Sequence, residues 1–146
     1  MSFVDSNVFV YLFDEGDPAK RRRAREIVRL SLSQSWVVSY QVVQETLNVI
    51  TRKLKTPVTA DHARRFLHAV LLPLWSVAPS AELYRRGLEI QSRYQYGFYD
   101  ALIIAAALEA SCTRLLSEAL QHGQRIDTLT IENPFLGLPR SAESND

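Results

Sequence analysis

The chain has 146 residues, 47% of them hydrophobic and 23% charged, which is enough for one domain with a buried core and too apolar for a disordered segment. Seventeen Lys and Arg against sixteen Asp and Glu leave a net charge of +1, so the total does not by itself announce a nucleic-acid binder. The longest unbroken apolar run, Ala101 to Leu108, is far below the roughly 20 residues needed to cross a bilayer.

The single cysteine, Cys112, excludes an internal disulfide framework and a multi-thiolate metal site; just ahead of a predicted strand, it reads as a small core residue. An acid at Asp5, with no basic segment ahead of a long apolar stretch, argues against a secretory signal, and a cytoplasmic protein is expected. The basic residues are clumped: Lys20 to Arg25, then Arg52, Lys53 and Lys55, then the pairs Arg64–Arg65 and Arg85–Arg86. Each clump alone reads as a solvated helix face; several on one small domain are compatible with phosphate contact.

In chain order, Ser2 to Asp5 reads as a strand stopping at an acid. Asp17-Pro18 opens a helix with Asp as cap and Pro at the first position, and Ala24, Ile27, Val28 and Ser31 form its narrow buried face. Trp36 to Ser39 is a second strand. A helix begins at Gln41, with Val43, Leu47, Ile50 and Leu54 at helical spacing. Thr59 caps another, with Ala63, Phe66, Leu67 and Val70 on one side. Leu74 to Val77 is a short strand, and Pro79-Ser80 opens a helix to about Arg93. Tyr99 to Ala110, apolar nearly all round, reads as a central buried helix. Thr113 to Ser117 is the next strand; Arg125 to Thr128 and Leu129 to Glu132 supply one or two more. The run from Leu138 to Asp146 reads as a poorly ordered tail, which leaves residues 1–137 as one domain. Strands alternating with helices predict an α/β class: a three-layer α/β/α sandwich around a mostly parallel sheet, with ligands at the carboxyl ends of the strands.

Acids stand where βα units turn toward that edge. Asp5 follows Phe3-Val4; Glu45 lies one turn into the helix behind the second strand; Asp100 leads the most apolar helix. Each also has a plain structural reading: Asp5 as the cap of a short helix starting near Asn7, Glu45 as a solvent-facing glutamate, Asp100 as a helix-start residue favoured by the dipole. As a set, with no bases between them, they repel, and a hard divalent cation with oxygen ligands, Mg²⁺ or Mn²⁺, relieves that field. Zinc is disfavoured because Cys and His are not clustered; His62 and His68 read as ordinary helix-face residues. Five scattered glycines give no phosphate loop, and Ser117 has no nearby histidine for a hydrolase triad.

The segments Val4-Asp5-Ser6-Asn7-Val8, Gln44-Glu45, Tyr99-Asp100-Ala101-Leu102-Ile103 and Leu116-Ser117-Glu118-Ala119-Leu120-Gln121-His122-Gly123 resemble, in order, the four motifs of PIN-domain nucleases, with VapC-type toxins of bacterial toxin–antitoxin pairs the closest group. The resemblance implies a PIN-like domain and a Mg²⁺-dependent endoribonuclease that takes RNA as substrate, is inhibited by a small cognate antitoxin and forms a homodimer. It further implies that Asp5 and Asp100 hold the metal, that Glu45 assists or orients the attacking water, and that Asn7 and Ser117 add supporting hydrogen bonds. One departure stands out: Ala119 occupies the place where an aspartate usually follows the Ser-Glu pair, which weakens the expected site. Glu118 is a poor substitute, because adjacent strand residues point to opposite faces. Two other readings remain, a non-catalytic RNA- or antitoxin-binding domain and a phosphotransfer protein with Asp5 as acceptor. The latter is disfavoured because no lysine stands near the strand ends in sequence.

Overall fold

Phe3-Val4 and Leu115-Leu116, wholly apolar and fully or nearly fully buried, lie side by side at the centre of a parallel sheet, as strands covered on both faces must. The structure, a computed structural model, describes residues 1–139. The chain runs through β1 (Ser2–Val4), α1 (Ser6–Val10), α2 (Pro18–Gln34), β2 (Val38–Ser39), α3 (Tyr40–Arg52), α4 (Ala60–Phe66), α5 (Leu72–Leu74), β3 (Trp75–Val77), α6 (Ala81–Tyr94), α7 (Phe98–Glu109), β4 (Arg114–Leu116), β5 (Arg125–Ile126) and β6 (Leu129–Glu132). β1 pairs in parallel with β4, and β4 with β6; β5 returns antiparallel on β6. β2 and β3 pair in parallel, and a parallel bridge between Phe3 and Val37 ties them to β1. The strand order across the molecule is thus β3-β2-β1-β4-β6-β5, and the helices complete the expected three-layer sandwich.

Helix boundaries follow local chemistry. Asp17 caps α2 through the Lys20 amide with Pro18 behind it, and Ala24, Ile27, Val28 and Ser31 are all buried. Thr59 and Ser80 cap α4 and α6 through the His62 and Leu83 amides. α7 starts one residue ahead of Tyr99 and buries every residue from Ala101 to Leu108. It leads directly back to β4, antiparallel to it, so its N-terminal turn lies at the edge where the parallel strands end.

Two expectations need correction. The second strand is shorter than Trp36–Ser39, because the Trp36 amide closes α2 on the Ser31 carbonyl beyond a left-handed Ser35 (φ 54°). The inner face of α3 is Gln41, Val42, Thr46 and Ile50, with Val43 and Leu47 half-buried and Leu54 beyond the helix end. A purely apolar periodicity passes over Gln41 and Thr46. Of the expected tail, Leu138 packs half-buried against the core; residues 140–146 lie outside the described residues.

α6 crosses α7 at Gly87, where an added Cβ would stand 2.7 Å from Leu102 Cδ2. Gly87→Ala pushes only the tip of a flexible side chain and gains helix propensity of about 1 kcal/mol, so its melting temperature should stay close to wild type. Gly87→Leu should cost about 1–3 kcal/mol, lowering Tm by roughly 5 °C in a thermal unfolding scan.

Candidate active site

Asp5 leaves β1 and caps α1, accepting from the Ser6 amide at 2.7 Å. Its other oxygen, Oδ2, accepts from the Ser117 hydroxyl at 2.7 Å and sits 3.5 Å from the Asn7 amide nitrogen. Asn7 closes the arrangement: its Nδ2 lies 3.3 Å from Ser117 Oγ, and its Oδ1 accepts from the Glu118 amide at 3.1 Å. The plain reading of Asp5 as a cap is therefore correct, and it is incomplete. A cap is normally exposed, whereas this carboxylate is buried among hydrogen bonds from two distant parts of the chain.

Burial raises the pKa of Asp5, opposed by the Ser117 and Ser6 hydrogen bonds and reinforced by the negative field of Asp100. Glu45 is raised by burial and by the fields of Asp5 and Asp100, and Asp100 by burial. The three acids named from sequence thus meet in one electrostatic environment at the carboxyl edge of the sheet. None of the ion pairs among the described residues involves any of them.

Two braces lay outside the sequence reading. The buried Gln41 amide donates to Glu45 Oε1 at 2.9 Å and to the Tyr99 carbonyl at 3.0 Å, spending both hydrogens and locking the Glu45 helix to the turn that carries Asp100. The i, i+4 spacing of Gln41 and Glu45 was a readable signal; the bond to residue 99 was not. The Ser6 hydroxyl lies 3.5 Å from Asp5 Oδ1 and also touches Glu45.

Beyond β4, Glu118 points away from the acids. It accepts from Lys20 Nζ at 2.6 Å and from the Tyr11 hydroxyl, with Tyr11 edge-on to Phe135. The expectation that no lysine reaches the strand ends is therefore overturned: α2 carries Lys20 across 98 residues of sequence to the mouth of β4. Burial works against that ammonium, but Glu118 and Tyr11 outweigh it and hold its pKa above the ordinary lysine value. Ala119 is exposed beside this pair, its amide donating to Ser117 Oγ at 3.2 Å. The other basic clumps are partly balanced along their helices, Arg64 and Arg65 by Asp61 and Arg85 by Glu82, in exposed pairs of small energetic weight. His62 and His68 are exposed, as expected, and Cys112 is buried.

A cavity of about 630 Å³ opens at the opposite sheet edge, between Ser2, Trp36, Thr113 and Arg114, and no acid lines it. Among the described residues no three His, Cys, Asp or Glu side chains form a ready-made metal cage. The donor set nevertheless suits a hydrated divalent cation: all three are hard carboxylates lacking a protein counter-charge, and Mg²⁺ keeps several waters while using one or two carboxylates. No helix among the described residues is long and apolar enough to cross a membrane.

A sequence profile described as the PIN domain matches residues 2–118. The chain belongs to the PIN-domain family. That match takes in Asp5, Glu45, Asp100 and Ser117 and ends just before Ala119. Comparison with curated proteins returned no match. Among solved structures, this PIN domain is similar to a toxin–antitoxin complex from Klebsiella pneumoniae (17% identity, 92% of this chain and 98% of the other, TM-score 0.65). It is also similar to FitAcB from Neisseria gonorrhoeae (15% identity, 93% and 99%, TM-score 0.64). A third is the VapC20 toxin of Mycobacterium tuberculosis, described as cleaving the sarcin–ricin loop (25% identity, 79% and 87%, TM-score 0.57).

A buried carboxyl with a raised pKa carries a sign for stability. As pH climbs from the ordinary carboxyl value through the higher folded value, the unfolded chain ionises first, so the folded state loses stability across that window and does not regain it above. Asparagine caps a helix as well as aspartate: its Oδ1 keeps the bond from the Ser6 amide without the charge, and its Nδ2 donates to Ser117 Oγ, reversing the second bond. In chelator at neutral pH, Asp5→Asn should be more stable than wild type by about 1 kcal/mol in denaturant unfolding, with a shallower loss of stability as pH rises above the ordinary carboxyl range.

Proposed function

We propose that this PIN domain is a metal-dependent endoribonuclease toxin. Its substrate is RNA, its cofactor Mg²⁺ or Mn²⁺, and a small cognate antitoxin is its inhibitor; it works in the cytoplasm, as a homodimer. The observation that carries this reading is the shared field of buried Asp5 and half-buried Glu45 and Asp100, none of them in an ion pair among the described residues. Leaving such a set unpaired is costly, and the cost makes sense where the site exists to take up a cation. The description of VapC20 as an RNA-cleaving toxin, at 25% identity, supports the choice of RNA, and the toxin–antitoxin complexes among the similar structures support a protein inhibitor.

Asp5 and Asp100 would hold the divalent ion, directly or through water, and the ion when bound supplies Lewis acidity toward the scissile phosphate. The chain's own residues do the rest. Ser117 and Asn7 keep Asp5 in one rotamer. Gln41 leaves one Glu45 oxygen, Oε2, available to orient a water for in-line attack, with a pKa raised toward that of a proton acceptor. The 5′-phosphate and 3′-hydroxyl products are those the family resemblance implies. Exposed arginines on α2, such as Arg22 and Arg25, offset the repulsion between an acidic pocket and a polyanion.

Ala119 favours a second reading: a domain that grips RNA or antitoxin without cutting, because no carboxylate projects at that position and Glu118 is taken up by Lys20. One assay separates the two. A structured RNA is incubated with wild type and with Ala119→Asp in Mg²⁺ or Mn²⁺, with a chelator control. Ala119→Asp should cleave at least about tenfold faster than wild type, and adding Asp5→Asn or Asp100→Asn should reduce cleavage by about 100-fold or more. Cleavage confined to the Ala119→Asp protein assigns the chain as a disarmed nuclease. No cleavage by either protein, or cleavage indifferent to chelator, sinks the proposal.

A further inference from the structure

Tyr99 is 72% exposed, the most exposed large aromatic or aliphatic side chain among the described residues. Its place is not arbitrary. It immediately precedes Asp100, and its carbonyl is fixed by the same Gln41 amide that holds Glu45, so the residue is tied to the turn that carries Asp100 and, through Gln41, to Glu45. Phe98 meets the ring edge-on at 5.6 Å and limits its swing. Tyr40, at the start of α3, and Tyr84, 41% exposed on α6, stand close by. The Tyr40 phenol is pushed up to about 12 by burial and by its neighbours Tyr84 and Tyr99. Three phenols from three helices therefore neighbour one another at the turn that carries Asp100, and the outermost is left in water.

An exposed aromatic cluster that served only the fold would be covered, since each ring gains by burial. Its chemistry is complementary to what an RNA strand offers next to a phosphate: a flat, apolar base face that stacks on aromatic rings once unpaired. The Tyr40 hydroxyl, its pKa raised, brings no negative charge to repel the backbone.

We propose that Tyr99, backed by Tyr40 and Tyr84, is a stacking platform for one unpaired base flanking the scissile phosphate. This rests on RNA being the substrate, and it is tested without cleavage. Binding of a fluorescein-labelled ten-nucleotide single-stranded RNA to the full chain is followed by anisotropy in chelator, for wild type, Tyr99→Ala and Tyr99→Trp. The same sequence is then probed with one abasic nucleotide moved along it. Tyr99→Ala should weaken binding on the order of tenfold, while Tyr99→Trp binds as well as wild type or better. One abasic position should cost wild type a similar factor and cost Tyr99→Ala nothing, a coupling that a general loss of structure does not produce. Equal affinity of Tyr99→Ala and wild type, or an abasic penalty that persists in Tyr99→Ala, overturns the platform and leaves the nuclease reading standing. A wild-type protein that does not bind the strand at all also overturns it and points the phenols toward a protein partner. Coupled binding together with no cleavage in any metal keeps the platform and sinks the nuclease.

Discussion

Asp5 is held by opposing demands. As the cap of α1 and the acceptor for Ser117 it belongs to the architecture, and an ionised carboxylate suits both roles. As a buried group facing Asp100 and Glu45 it is penalised for that same ionisation. A protein selected for stability alone would have a neutral residue there. The hydrogen bonds from residues 6 and 117 make the strained state affordable, and almost every other feature of the carboxyl edge serves to supply or steady them.

The steadying is layered. Ser117 reaches Asp5 because β1 and β4 are adjacent and in register, with Val4 opposite Leu116. The register holds because Phe3-Val4 and Leu115-Leu116 are apolar and buried, so a one-residue slip would move Phe3 and Leu115 out of their packing. Asn7 ties the turn after β4 back to α1, and the Lys20–Glu118–Tyr11 cluster fixes the next residue from the far side. Glu45 and Asp100 are joined more loosely, through one glutamine amide. The site thus has a rigid half built on strands and a half built on helix starts.

The fold class, the order of elements and the capped starts of the second, fourth and sixth helices were legible in the sequence because each rests on local chemistry: Asp-Pro at 17–18, Thr59, Ser80, and the unbroken apolar run behind Asp100. The mutual charge influence of Asp5, Glu45 and Asp100 agrees with their reading as acids where βα units turn toward one sheet edge. What escaped was polar and long-range. Gln41 carries no apolar signal and was passed over for Val43, although its amide joins two motifs. Lys20 lies in a basic block that reads as a solvated face, and only the folded path of α2 shows it turned inward to Glu118. Residues whose role is to satisfy another residue's hydrogen bond leave no periodic trace.

The bond between Ser117 and Asp5 joins one end of the domain to the other. A chain made from its N-terminus emerges from the ribosome with Asp5 first and Ser117 more than a hundred residues later, and β6, which covers β4, later still. Until then Asp5 lacks its bond from Ser117, and β1 is paired only on its Val37 side. Whatever chemistry the acids support must therefore wait for β4, more than a hundred residues after Asp5 in the chain.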